Sequence, residues 1–182
     1  GREVAPGEIG EIVGHSPAMM RGYHRQPDKT REAEWYAPDG KRFIRTGDVG
    51  RFDADGFLTL MDRKKDMIIS GGFNVYPSDL EAVLAQHPAV AEAAVVGVAS
   101  QRWGETPVAF VVARVMRSGI QTDGAGGTAI LTATGLRDWA NARLGKTQRL
   151  AAVEVVDTLP RSAIGKILKR ELRDNFQSPP DF

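Results

Sequence analysis

The chain has 182 residues, enough for one ordinary domain or two small ones, and its 42% hydrophobic and 26% charged content falls in the soluble globular range. A net charge of +1 gives no overall field favouring nucleic acid or an acidic membrane, although basic residues gather between positions 161 and 173. With no cysteine there is no disulfide, thiolate nucleophile or cysteine metal site, and histidines at 15, 24 and 87 are too scattered for a zinc cluster, so no metal site is expected within the chain.

No apolar run approaches the roughly 18 residues needed to span a bilayer, and the opening GREVAPGEIGEI lacks the charged-then-apolar plan of a signal peptide. The expectation is a cytoplasmic protein with no transmembrane segment, peripheral membrane association being left open. In chain order, residues 8–13, 42–45 and 57–61 read as short strands, separated by turns at Asp39-Gly40 and Asp55-Gly56. Three short strands over about 60 residues bury little surface alone, so this first third is expected to pack against something outside the chain.

After position 63 the pattern changes to strands alternating with helices, which suits an α+β domain of about 120 residues. Ser78 and Glu81 read as a capping box for a helix with Leu80, Val83 and Leu84 on its apolar stripe. Residues 93–98 and 108–115 are rich in β-branched residues and read as hairpin neighbours around Trp103-Gly104-Glu105. Residues 119–127, with four glycines, read as a loop before a helix around 136–144.

Four places carry residues suited to chemistry. Asp48 ends the strand-like FIRTGD, and its two carboxylate oxygens could accept from both hydroxyls of a ribose, although a Gly-Asp pair alone reads as a turn. Arg63, Lys64 and Lys65, between Asp62 and Asp66, read by charge pattern as a solvated loop. Gly71 and Gly72 lie between an apolar strand and a helix, where a missing Cβ lets a narrow, extended ligand lie against the main chain. That stretch lacks the Gly-Lys-Ser/Thr of a phosphate loop and the spacing of a dinucleotide fold. Lys166 ends a loop (PRSAIGK) and is expected to start the helix ILKRELRD, where a cation opposes the helix dipole at about 0.3–1 kcal/mol unless an anion comes near. Lys169, Arg170 and Arg173 read as the solvated basic face of the same helix, with Leu168 and Leu172 inward.

Taken in order, GEIGEIVGHSPAMMRGYHRQP, FIRTGDVGRFDADGFLTLMDRKKDMIISGGFNVYPSDLE and LPRSAIGKILKREL resemble the later core motifs of the adenylate-forming superfamily. The form IISGGFNVYP is most similar to fatty-acyl and related acid-CoA ligases. The resemblance implies an α+β fold: a small C-terminal lid over residues 63–182, with a short antiparallel hairpin and a mixed three-stranded sheet with helices. The β-rich end of a larger N-terminal domain, residues 1–62, would precede it. It implies that Asp48 and Arg63 hold the ribose of ATP or AMP, that Lys65 is the hinge, that Gly71, Gly72 and Phe73 line the pantetheine path of CoA, and that Lys166 is the catalytic, nucleotide-binding lysine. The implied reaction joins a carboxylic acid, of medium or long chain, to CoA through acyl-AMP. ATP is consumed, and Mg2+ is bound mainly by the missing N-terminal part, without which the fragment should be inactive.

Two features depart from the family pattern. Ile69 stands where some relatives carry a polar residue serving the second half-reaction, and the insert at 119–127 is long. An adenylation domain that loads a carrier-protein phosphopantetheine would carry the same motifs. The non-enzyme alternative is an anion-binding module using the basic helix; nucleic acid is not an expected partner.

Overall fold

A computed structural model describes residues 1–114 and 132–176, so the glycine-rich stretch 119–127 and the end of the expected strand at Val115 lie outside the described residues. The chain divides into two compact units, Gly1–Lys65 and Asp66–Phe182.

In the first unit an eleven-residue strand, β3 (Arg42–Phe52), is the spine of an antiparallel sheet. Strand β1 (Gly10–Gly14) pairs along one edge of β3, while β2 (Glu34–Tyr36) and β4 (Leu58–Arg63) share the other, a short helix α1 (Pro27–Ala33) leading into β2. The reversal from β3 into β4 is fixed by Asp53, whose Oδ1 accepts the N–H of Asp55 at 3.0 Å and of Phe57 at 2.9 Å, with Gly56 at φ +83°. This is the Asp-Gly turn that composition leads one to expect. Burial is sparse: Val49 is 6% exposed, whereas Phe57 and Leu60 are 72% and 61% exposed. The unit ends after Lys65, where β4 has continued through Arg63 opposite Asp48 and Lys64 N–H donates to the Gly47 carbonyl at 2.9 Å.

The second unit carries β5 (Ile68–Ser70), β6 (Phe73–Val75), α2 (Pro77–Leu84), β7 (Val90–Ser100), β8 (Gly104–Ala113), α3 (Ala133–Asn141), β9 (Ala152–Val156) and α4 (Lys169–Asn175). The long hairpin of β7 and β8 is joined by β9, parallel to β8, giving the mixed three-stranded sheet. The short β5–β6 hairpin adds to it through the pair Ser70↔Gly104. Both faces of this sheet are covered, which is why its strands read as continuous apolar runs. Val95, Ala109, Val111 and Val153 pack under Leu80 and Leu84 of α2 and Leu136 and Ala140 of α3. The alternate residues Ala94, Val96, Val108 and Phe110 pack with Leu159 and with Leu172 of α4.

Two local expectations fail for reasons of long-range pairing. Helix α2 starts at Pro77 with Tyr76 at its N-cap position and no side-chain cap, so Ser78 lies inside the first turn. Glu81 instead reaches across the fold, its Oε1 accepting the Val95 N–H at 2.8 Å and the Lys169 ammonium at 2.8 Å. Helix α4 starts at Lys169, three residues after Lys166, so Lys166 belongs to the preceding turn and the dipole argument does not apply to it. Nor is the face of α4 simply solvated: Lys169 pairs with Glu81, and Arg173 Nε donates to the Gly97 carbonyl at 3.1 Å.

Candidate functional site

Asp48 is not at a strand end. It sits within β3, beside Gly47 at φ +75°, where the register between β1 and β3 slips between Glu11 and Val13. The irregularity is a bulge rather than the turn a Gly-Asp pair suggests, and a glycine at positive φ permits it. Asp48 N–H donates to Thr46 Oγ1 at 3.1 Å, and Thr46 Oγ1 donates to the Ile12 carbonyl at 2.9 Å, so side chains brace the bulge. Directly across the ladder Arg63 places its Nε 2.7 Å from Asp48 Oδ1. The pair engages one carboxylate oxygen and the guanidinium Nε, and both side chains are partly exposed; the second oxygen is an acceptor and the terminal nitrogens are donors. Beside it, Lys64 and Arg45 both bind Glu11, at 2.9 and 2.8 Å. Burial pushes the Glu11 carboxyl up, but its bonds to Lys64 and Arg45 outweigh this and leave it below the ordinary carboxylate value. The charge run at 62–66 is thus an ordered strand end for Arg63 and Lys64, whereas Lys65 lies exposed as the last residue of the first unit.

Gly71 and Gly72 form the two-residue reversal between Ser70 and Phe73, with φ of +57° and +83°. Left-handed φ at both central positions is what a tight hairpin of this kind requires. Gly71 also needs to be bare: its N–H donates to the Trp103 carbonyl at 2.9 Å, and a Cβ there would lie 2.9 Å from the Trp103 ring. Around the turn Ile69, Phe73 and Trp103 are about half exposed, and the Arg102 guanidinium sits 4.9 Å from the Trp103 ring centre. The surface offers apolar contact beside unobstructed backbone, suited to an uncharged, extended chain. Sequence reading missed Trp103 as part of it; its only local signal was its place in the turn facing Ser70.

Lys166 closes a second tight turn. Gly165 N–H donates to the Ser162 carbonyl at 2.8 Å, Ser162 N–H to the Lys166 carbonyl at 2.8 Å, and Lys166 N–H to Ser162 Oγ at 3.2 Å. Gly165 has φ +81° and Arg161 pairs with Ile167 across the turn, so the loop is a small closed hairpin. Among the described residues, no carboxylate forms an ion pair with the Lys166 ammonium, which is exposed. It is a solvated cation on a backbone fixed by hydrogen bonds. The same residues contain no group of three or more side chains able to hold a metal ion.

The structure therefore unites Asp48 with Arg63 in the first unit, and Gly71, Gly72 and Phe73 with Trp103 in the second. Within the second unit it separates the glycine turn from the lysine turn. The first adjoins the Ser100↔Gly104 end of the β7–β8 ladder, the second the Glu92↔Val112 end through an Arg161–Glu92 ion pair. Ser100 lies eight residue steps along β7 from Glu92, a distance of about 26 Å.

Residues 79–166 match the family described as AMP-binding enzyme C-terminal domain. The chain is 42% identical over 176 residues to a 2-succinylbenzoate–CoA ligase of Geobacillus kaustophilus, covering 95% of this chain and 32% of the relative. It is 43% identical to a fatty acid–[acyl-carrier-protein] ligase, ScoC, of Streptomyces coeruleorubidus, covering 97% of this chain and 31% of the relative. It is 42% identical to a long-chain-fatty-acid–CoA ligase of Salmonella typhimurium, covering 98% of this chain and 29% of the relative. The chain spans about a third of the length of these curated relatives. ATP-bound MatB from Rhodopseudomonas palustris superposes with a TM-score of 0.79 at 34% identity, over 96% of this chain and 31% of that one. The agreement of motif, relatives and fold has one meaning: the chain carries an AMP-binding enzyme C-terminal domain and belongs to that family.

Proposed function

We propose that this chain is the C-terminal part of an ATP-dependent acid-CoA ligase acting on a medium- or long-chain fatty acid, inactive without its upstream part. The observation carrying the proposal is Lys166: an exposed ammonium with no carboxylate ion pair among the described residues, on a turn braced by its own backbone. In the first half-reaction a carboxylate oxygen attacks the α-phosphorus of ATP and the bond to the β-phosphate bridging oxygen breaks. Acyl-AMP forms and pyrophosphate leaves. Negative charge grows between carboxylate and phosphate, and a positioned ammonium stabilises it without reorganisation. Asp48 and Arg63 would hold the ribose, the carboxylate accepting from its hydroxyls and the guanidinium donating to its oxygens. Mg2+, held by the upstream part, would neutralise the leaving pyrophosphate.

In the second half-reaction the CoA sulfur attacks the acyl carbon and AMP leaves. The lid would rotate about Lys65 between the two steps, withdrawing Lys166 and bringing up Gly71, Gly72 and Phe73 beside the pantetheine arm. The names of the long-chain-fatty-acid–CoA ligases among the relatives support the acid class. A second reading has the ScoC likeness behind it: the acceptor is the phosphopantetheine of a carrier protein instead of free CoA. The arm is the same, so the glycine turn serves either acceptor.

The test joins the chain to the upstream two-thirds of the ligase and follows the half-reactions separately. Acid-dependent pyrophosphate release should appear, and Lys166→Ala should slow it about 10²- to 10³-fold while thioester formation from supplied acyl-AMP continues. Equal loss of both steps would reject the role given to Lys166. Release of free CoA thioester favours the first reading; activity only with a carrier protein favours the second.

A further inference from the structure

The Lys166 turn does not rest on its own hydrogen bonds alone. Arg161, at its base, donates from Nη1 to the Gly165 carbonyl at 2.7 Å and from Nη2 to the Glu92 carboxylate at 2.5 Å. Gly165 immediately precedes Lys166, and Glu92 lies on β7 beside the register slip near Val90. One guanidinium thus ties the residue before the lysine to the edge of the sheet. Without it the turn would keep its internal bonds and could still pivot as a body about the segments that enter and leave it. Both partners are nearly half exposed, so the pair adds little to folding, in line with exposed ion pairs generally. A planar fork spanning two acceptors is better suited to fixing direction than to adding stability.

We infer that Glu92, acting through Arg161, is a positioning residue for Lys166: it holds the lysine turn at a fixed orientation on the sheet so that the ammonium arrives aimed when the lid closes for acyl-adenylate formation. The inference rests on the reading of Lys166 given above. It assigns work to a carboxylate that touches no substrate and that lies 74 residues away from the lysine in sequence.

The test uses the complete ligase with Glu92→Gln, which removes the charge and keeps the shape. Acid-dependent pyrophosphate release should fall about 10- to 100-fold in kcat, the scale of a small misplacement of a catalytic group. The KM for ATP, thioester formation from supplied acyl-AMP and the denaturation midpoint should stay unchanged. Glu92→Asp should recover part of the loss. The double variant Glu92→Gln with Lys166→Ala should be no slower than Lys166→Ala alone, since the tether acts through the lysine. Wild-type pyrophosphate release in Glu92→Gln overturns the inference, as does a parallel loss of both half-reactions with a lowered midpoint. If Lys166→Ala selectively slows the first half-reaction and Glu92→Gln does not, the tether alone falls. If Lys166→Ala has no selective effect, the functional reading falls and the tether with it.

Discussion

The turn at residues 70–73 and the turn at residues 162–166 are both tight reversals closed by glycines at positive φ, yet they expose opposite chemistry. The first presents half-exposed Ile69, Phe73 and Trp103 beside bare backbone; the second presents a solvated ammonium. They are also supported differently. Ile68 and Val75, next to the glycine turn, belong to the cluster under α2 and α3, whereas Leu159 and Ile167, flanking the lysine turn, belong to the cluster under α4. A rigid sheet with these surfaces about 26 Å apart along its hairpin cannot offer both to one small ligand at once. The arrangement makes sense if each serves a different moment of a reaction and the whole unit reorients between them.

The sharpest way to break this comparison is Lys166→Ala. Loss of one preorganised donor to a developing charge costs about 10²- to 10³-fold in rate, and here it should fall on pyrophosphate release only. Stopped-flow measurement of each half-reaction checks it, and a matching fall in thioester formation would show that the two surfaces are not separate. Next in size is Leu172→Ala, which empties the buried position that α4 contributes to its cluster. Truncation of a buried leucine costs about 2–5 kcal/mol. Hydrogen exchange should quicken first at α4 and the lysine turn, with the α2–α3 side of the sheet retaining more protection.

The β7–β8 hairpin was legible in the sequence because long β-branched runs mark both strands. The Gly-Gly pair read as lying between a strand and a helix, because β6, which makes it a reversal, is only three residues long and carries no pattern of its own. What could not be read was decided by partners far along the chain. Ser78 and Glu81 have capping-box spacing, but Glu81 is recruited by Val95 and Lys169. The ILKREL run has helical periodicity, but the Arg161↔Ile167 bridge and the Leu168 N–H to Pro160 carbonyl bond at 2.8 Å hold 166–168 out of the helix, delaying α4. Gly47-Asp48 looks like a turn, and only the offset between β1 and β3 reveals a bulge. Lys166 was singled out through its motif; the Arg161–Glu92 pair beside its turn has no sequence signature at all.

A smaller effect separates the two glycines of the first turn. Both have positive φ, so alanine at either is strained by about 1 kcal/mol. At Gly72 a Cβ meets open space, whereas at Gly71 it would lie 2.9 Å from the Trp103 ring. Gly71→Ala should therefore destabilise the chain more than Gly72→Ala, shift the environment of Trp103, and slow thioester formation while pyrophosphate release is spared. Equal destabilisation by the two variants, read by denaturation with Trp103 fluorescence, would mean that the tryptophan is not fixed over the turn.

The smallest expected effect is a pH dependence confined to the α2–α3 side, away from the lysine turn. His87 is half-buried, its ring 4.8 Å from Trp139 in an edge-on contact, with Arg143 stacked 4.0 Å over the other ring. Burial, with the Arg143 charge adding to it, holds the imidazole below its ordinary value of 6.5. Its Nδ1 accepts the Ala89 N–H at 3.2 Å, so protonation there would also cost that bond. The unfolded chain then binds the proton more readily than the folded one. Stability is complete above about pH 6.5 and declines as pH falls below it, levelling off once the folded-state imidazole is itself protonated. His87→Asn keeps an acceptor near Ala89 without a titrating ring, and it should flatten the denaturation midpoint between pH 7 and 5. An unchanged slope in that variant would assign the pH dependence to carboxylates such as Glu11, which, held below the ordinary value, loses its contribution only at lower pH as it is protonated.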